Sequence, residues 1–230
     1  MQQLISRRAA TLALLTTAGT AWAQTQADQP SAAQPARIQV EHARGVAELP
    51  FAPRRVVVYD LASLDTMQAL KLPVTGVPRV HFPAYLAGYA DARYQVAGSL
   101  FEPDYEALSR IRPDLIVVAG RSASKYEALS RIAPTLDLST SGQDLLGDMQ
   151  RNVKLLASLW GKQAQGEQLM QQVRSDVQAT RAAAAKAAPG LLVLAVNKNM
   201  SAQTPGSRFG LLHDVLGIKP ALPADPAQAR

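Results

Sequence analysis

The sequence predicts an α/β fold: a parallel sheet in the first part, a long helix in the middle and the start of a second strand-helix unit. Three observations carry this. Short apolar, β-branched runs alternate with helically spaced segments between residues 56 and 138. A helix passes through proline into an apolar strand twice: Tyr-Glu-Ala-Leu-Ser-Arg-Ile occurs at 105–111 and again at 126–132, each copy followed by one residue and a proline. From 143 to 188 no strand-like run interrupts a helical pattern.

Taken in order, the chain opens with Arg7 and Arg8, an uncharged stretch over 9–20 and the small-residue pattern Ala21-Trp22-Ala23 before Gln24. That layout predicts a cleavable export signal over 1–23, too short for the ~20 apolar residues of a spanning helix. Ser6-Arg7-Arg8 leaves both the general and the twin-arginine route open. Residues 24–36, rich in Gln, Ala and Pro, read as a flexible tether. An N-terminal α/β lobe is expected over 37–142. Its first strand is 56–59, a helix follows over 61–70, and Pro73 precedes a second strand at 74–77. An aromatic, irregular stretch covers 81–93 before a brief strand at 95–97. Pro103-Asp104 opens a helix ending at Ile111, Pro113 closes it, and 114–120 is a buried strand. The second copy of the heptapeptide feeds a last strand at 135–138. The repeat therefore marks two successive helix-to-strand units rather than a solenoid.

The helical segment spans 143–188. Gly161 divides it, and its second helix, roughly 25 residues long, would measure about 37 Å. Over 189–230 the beginning of a C-terminal lobe is expected: a buried strand at 191–196, a polar loop at 201–207, and a helix at 208–216 capped by Gly217. Prolines 220, 223 and 226 then break the pattern. One strand-helix unit cannot bury both its faces. It must pack on the first lobe, or the second lobe is incomplete.

Composition narrows function. The chain has no cysteine, so disulfides, thiolate metal sites, cysteine nucleophiles and a lipidated N-terminal cysteine are excluded, and a soluble periplasmic protein is expected. Removing the two signal arginines lowers the formal charge from +6 to +4. Basic residues are scattered, with no run suited to nucleic acid, but the surplus permits an anionic small ligand. No Gly-x-Gly-x-x-Gly after a strand, phosphate loop, Gly-x-Ser-x-Gly elbow or His-Glu-x-x-His occurs, which leaves an enzyme as the weakest reading. His42 and His81 have no partner at metal-ligand spacing, and His213 sits in a helical apolar pattern that favours packing. No intrinsic metal or cofactor is expected.

Four stretches occur together and in order: Arg55-Val-Val-Val-Tyr-Asp-Leu-Ala-Ser-Leu-Asp-Thr66, Gly98-Ser-Leu-Phe-Glu-Pro-Asp-Tyr105, Arg112-Pro-Asp-Leu-Ile-Val-Val-Ala-Gly-Arg121 and Gly206-Ser-Arg-Phe-Gly-Leu-Leu-His-Asp-Val-Leu-Gly217. Over residues 37–218 the chain resembles the siderophore-binding components of ABC importers, in particular those taking petrobactin-like and other catecholate ferric complexes. The resemblance implies two Rossmann-like lobes bridged by one long helix, the helical-backbone type of substrate-binding protein, with a ferric siderophore held between the lobes by convergent arginines. Arg121 and Arg208 match ligand-contact positions, and Arg79, just after the second strand, is a third candidate cation. A guanidinium keeps its charge, donates five hydrogen bonds and stacks on aromatic rings, all of which suit a catecholate chelate. Asp65, at the start of the first helix, matches an acidic residue that docks on the permease, and Asp214 is the weaker candidate from the second lobe. Partners implied are the ferric siderophore and the inner-membrane permease, with the protein a monomer. Iron enters only within the chelate. The family's third arginine and its iron-coordinating histidine and tyrosine would fall after Arg230, so the resemblance implies a truncated C-terminal lobe. Haem or cobalamin as cargo, and a non-functional remnant, are the remaining alternatives.

Overall fold

The computed structural model describes residues 36–142, 144–207 and 209–224. The predicted signal and all but the last residue of the tether lie outside them. Ahead of the first predicted strand stands an antiparallel hairpin, β1 (Arg37–His42) and β2 (Gly45–Pro50). Its Val40 and Leu49 are buried and fasten it to the main core.

Five parallel strands follow: β3 (Val56–Val58), β4 (Gly76–Val77), β5 (Gln95–Val96), β6 (Leu115–Val118) and β7 (Thr135–Asp137). They form one sheet in the order β5-β4-β3-β6-β7. Side chains alternate between the sheet's faces, and both faces are covered, so the central strands are apolar throughout. Val56, Val58, Leu115 and Val117 face one core cluster. Val57, Tyr59, Ile116 and Val118 face the other.

The first face is covered by α1 (Leu61–Ala69) and α4 (Leu145–Leu159) through Leu64, Met67, Leu156 and Leu159, all fully buried. Each such side chain contributes about 1.5–3 kcal/mol through burial. Helices α2 (Tyr105–Ile111) and α3 (Tyr126–Ser130), one from each heptapeptide copy, cover the second face through Leu108, Ile111 and Leu129. Asp104, the predicted helix opener, is the N-cap of α2 and accepts the Ala107 N–H at 2.9 Å. Asp104→Ala should cost about 1 kcal/mol, seen as a melting temperature lower by about 2–4 °C. An unchanged melt would mean that the cap contributes nothing.

Helix α5 (Gln163–Ala184) has 22 residues and is about 33 Å long. Its first turns lie so close to α4 that a Cβ on Gly166 would sit 2.8 Å from the Ala157 Cβ. Beyond Met170 only Ala184 is buried. At its far end Arg181 donates to the carbonyls of Val215 (2.6 Å) and Asp214 (3.1 Å), which satisfies the C-terminal end of the short helix α6 (Leu211–Asp214). The predicted cap residue Gly217 donates to the His213 carbonyl at 3.1 Å. No helix among the described residues is long and apolar enough to cross a membrane.

The structure corrects the sequence reading of residues 191–207. The predicted buried strand is β8 (Leu192–Val196), exposed along its whole length, with Val193 45% and Val196 53% accessible. The first three residues of the predicted polar loop, 201–203, belong instead to a strand, β9 (Asn199–Gln203), paired antiparallel with β8 across a turn in which Asn197 takes the left-handed conformation (φ 56°). Asparagine tolerates that conformation, so the chain doubles back immediately instead of running on toward a helix. Among the described residues no layer covers β8, and a Leu/Val run reads as buried whether or not one does.

Candidate functional site

In an open parallel sheet, ligands bind beyond the carboxyl ends of the strands, where neighbouring strands connect in opposite directions. Here that point lies between β3 and β6, because the chain leaves β3 toward β4 and β5 on one side and then returns to β6 and β7 on the other.

Two of the expected ligand arginines lie at this edge. Arg79 follows β4, and its backbone N–H donates to the Gly98 carbonyl at 2.6 Å. Arg121 follows β6, in a 3-10 turn over Gly120–Lys125. Both are exposed, and neither guanidinium has a hydrogen bond or ion pair among the described residues. The other cations near this edge are engaged within the protein. Lys125 pairs with Glu102 at 2.8 Å, and Arg44 with Asp137 at 2.8 Å. Two strand spacings, about 10 Å, separate the ends of β4 and β6. Two free guanidinium groups on long stems across that gap can converge on one multiply anionic ligand seated above β3. Arg208 lies outside the described residues.

Asp65 is exposed but is the fifth residue of α1 rather than a first-turn acid. The helix start belongs to Asp60, whose carboxylate accepts the Ser63 N–H at 2.7 Å. Asp214 is exposed and accepts the Gly206 N–H at 2.9 Å, holding the loop ahead of α6. His213 is buried and its Nδ1 donates to the Ile218 carbonyl at 2.9 Å, which is the packing role its helical position predicts.

Tyr59, at the end of β3, is fully buried and donates its hydroxyl to the Ala97 carbonyl at 2.5 Å. Burial pushes its phenol well above the usual range, so it supplies no phenolate. Among the described residues no three of His, Asp and Glu gather as a metal site. A shallow groove of about 440 Å³ does lie elsewhere, between the hairpin and α3. Its Arg37 is paired with Glu48, and the groove meets the entry of β7, not the strand exits. Topology therefore favours the open edge over this groove.

Sequence reasoning missed one group at this edge: His42, Arg44, Asp137 and Ser139, joined by short hydrogen bonds. His42 and Asp137 are 95 residues apart in sequence, so no local spacing could have revealed them.

Residues 56–230 match the family described as periplasmic binding protein. Over 177 residues the chain is 30% identical to the petrobactin-binding protein YclQ of Bacillus subtilis, covering 76% of this chain and 56% of that one. It is 28% identical to the ferric-anguibactin-binding protein FatB of Vibrio anguillarum, covering 86% of this chain and 63% of that one. The chain thus spans less than two thirds of the length of either relative. The crystal structure of YclQ superposes with a TM-score of 0.78 at 31% identity, over 81% of this chain and 67% of that one. That of the periplasmic catecholate-siderophore binding protein VctP of Vibrio cholerae gives 0.76 at 28%, over 83% and 69%.

Proposed function

The chain belongs to the periplasmic binding protein family, and from that premise we propose that it captures a ferric siderophore of catecholate type and hands it to the permease of an ABC importer. One observation carries the reading most directly: two exposed guanidinium groups without internal partners flank the end of the central strand, at the edge where such sheets take ligands. A ferric catecholate is multiply anionic and aromatic, and arginine answers both properties. The relatives named above point the same way, one described as binding petrobactin and one as binding catecholate siderophores.

In this reading Arg121 and Arg79 grip the chelate from the first lobe, and Arg208 meets it from the region beyond α5. Residues 37–142 act as one lobe, α5 links it to the next, and Asp65 and Asp214 face the permease. The N-terminal signal exports the chain to the periplasm. It works as a monomer that binds and releases, with no catalytic step and no cofactor.

Titration by intrinsic fluorescence with a ferric bis-catecholate, a ferric trihydroxamate and haem tests the cargo. The expected order is catecholate tightest, by at least about tenfold, the equivalent of one charged contact. Preference for haem or hydroxamate would overturn the assignment.

A further inference from the structure

The turn that carries Arg121 is bracketed by two hydrogen bonds that lead back to one carboxylate. On one side the Gly120 N–H donates to Ser139 Oγ at 3.1 Å, and Ser139 Oγ donates to Asp137 Oδ1 at 2.5 Å. On the other side Arg44 Nη2 donates to the Ala123 carbonyl at 3.1 Å, while its Nε donates to Asp137 Oδ2 at 2.8 Å. The Ser139 N–H donates to Oδ1 as well, at 2.9 Å. Only 2% of the Asp137 side chain is exposed. Its main chain is tied to the hairpin: the Ala43 N–H donates to the Asp137 carbonyl at 3.1 Å, and the Asp137 N–H donates to His42 Nδ1 at 3.2 Å.

We propose that Asp137 is the positioning residue for Arg121, acting through Ser139 on one flank and Arg44 on the other, and that His42 makes this clamp sensitive to acidification. The proposal rests on the reading of Arg121 as a ligand contact. An unpaired arginine on a surface turn gains affinity from being held in place before the ligand arrives, because less ordering is left to the binding step. Each oxygen of Asp137 serves a different flank, so an amide cannot replace it. In asparagine one oxygen becomes an NH2 that faces a donor.

The protonation states fit the clamp. Burial alone would raise the Asp137 carboxyl, but the hydrogen bonds from Ser139 and Arg44 outweigh it and hold the pKa below the usual carboxylate range. Burial lowers His42 from its ordinary 6.5, opposed by the Asp137 carboxylate and the Asp137 main chain and reinforced by the Arg44 cation. The Tyr126 ring, 5.7 Å away, is the remaining titratable neighbour packed on it, and Glu127 acts on Arg44. Neutral His42 accepts the Asp137 N–H through Nδ1. Protonated at that atom, it would set donor against donor. Because the folded pKa lies below 6.5, this contact survives in the folded protein at pH 6.5 and is lost only as the pH falls through the lower folded value. Asp137 adds a further loss only below its ordinary 3.8.

The test measures two quantities in the full chain. Hydrogen exchange of the 120–123 amides should quicken about tenfold in Asp137→Asn, and less in Ser139→Ala, which removes one flank only. Affinity for a ferric bis-catecholate should fall about tenfold in Asp137→Asn when Arg121 is present, and less than about twofold in an Arg121→Ala background. In His42→Asn, whose oxygen can accept the same N–H without titrating, the affinity ratio to wild type should rise once the pH is taken well below 6.5, and a ratio that stays flat down to the acid limit of folding overturns the acid sensitivity. Acid effects on the chelate itself cancel in that ratio. Unchanged exchange in both clamp variants overturns the clamp whatever the ligand. Faster exchange with unchanged affinity, while Arg121→Ala does weaken binding, overturns the positioning role alone. If Arg121→Ala leaves affinity intact, the site reading itself fails and takes the proposal with it. Should Asp137→Asn fail to fold, Ser139→Ala and His42→Asn decide by the same criteria.

Discussion

Arg121→Ala is expected to weaken binding of a ferric bis-catecholate by about 10- to 100-fold, the fold-change carried by the ~1.5–3 kcal/mol of a hydrogen bond to a charged group. The Arg121 guanidinium has no partner among the described residues, so removing it strands no buried acceptor and leaves no carboxylate unpaired. Stability should therefore stay within about 0.5 kcal/mol of wild type. That separates this variant from Arg55→Ala, which would remove the guanidinium paired with Asp114 Oδ1 at 2.5 Å and leave that oxygen without its ion pair. Arg121→Lys should fall between, since it keeps the charge but loses the planar fork. Fluorescence titration with parallel thermal melts checks both halves. Wild-type affinity in the alanine variant would remove Arg121 from the site, and a large drop in melting temperature would recast it as structural.

The second large effect is on folding. Gly98→Ala should destabilise the protein by about 3 kcal/mol or more. Gly98 has φ +112°, a conformation side chains rarely adopt. A Cβ there would collide with the backbone of the following turn, at the Glu102 carbonyl oxygen and the Asp104 nitrogen (2.5 Å). Backbone cannot rotate aside as a flexible side chain could. The turn it would displace holds the N-cap of α2 and, through the Arg79 N–H, the end of β4. Urea denaturation should show the midpoint falling, and catecholate affinity should fall with it even at low urea, because Arg79 moves. A midpoint equal to wild type would show that the turn relaxes at little cost.

Much of the parallel-sheet region is legible because its signals are local. Asp104 before a helix, Pro113 after one, and the apolar run of β6 each act within a few residues, and each occurs where expected. Arg121 is singled out through the family resemblance rather than a local signal, and it lies three residues past the end of β6. The first hairpin carries only a weaker sign, an alternation of Ile38, Val40 and His42 with polar residues. Burial of β8 was misjudged because its Leu and Val content reports a preference for a covered site, not the presence of a cover. The Asp137 clamp was out of reach for a different reason. Its Arg44 arm reaches across 93 positions to Asp137 and 79 to Ala123, and only the completed sheet brings these together.

The long, sparsely buried helix has a mechanical consequence. Its first turns are seated on α4 at the Gly166–Ala157 contact, while its last turn grips α6 through Arg181. Measured from Gly166 to Ala184 the helix runs about 27 Å, a lever with its fulcrum near one end: each degree of tilt at Gly166 would displace the far end by about 0.5 Å. Any tilt that the small residues 157 and 166 permit would therefore be carried to the loop at Gly206, which Asp214 of α6 holds.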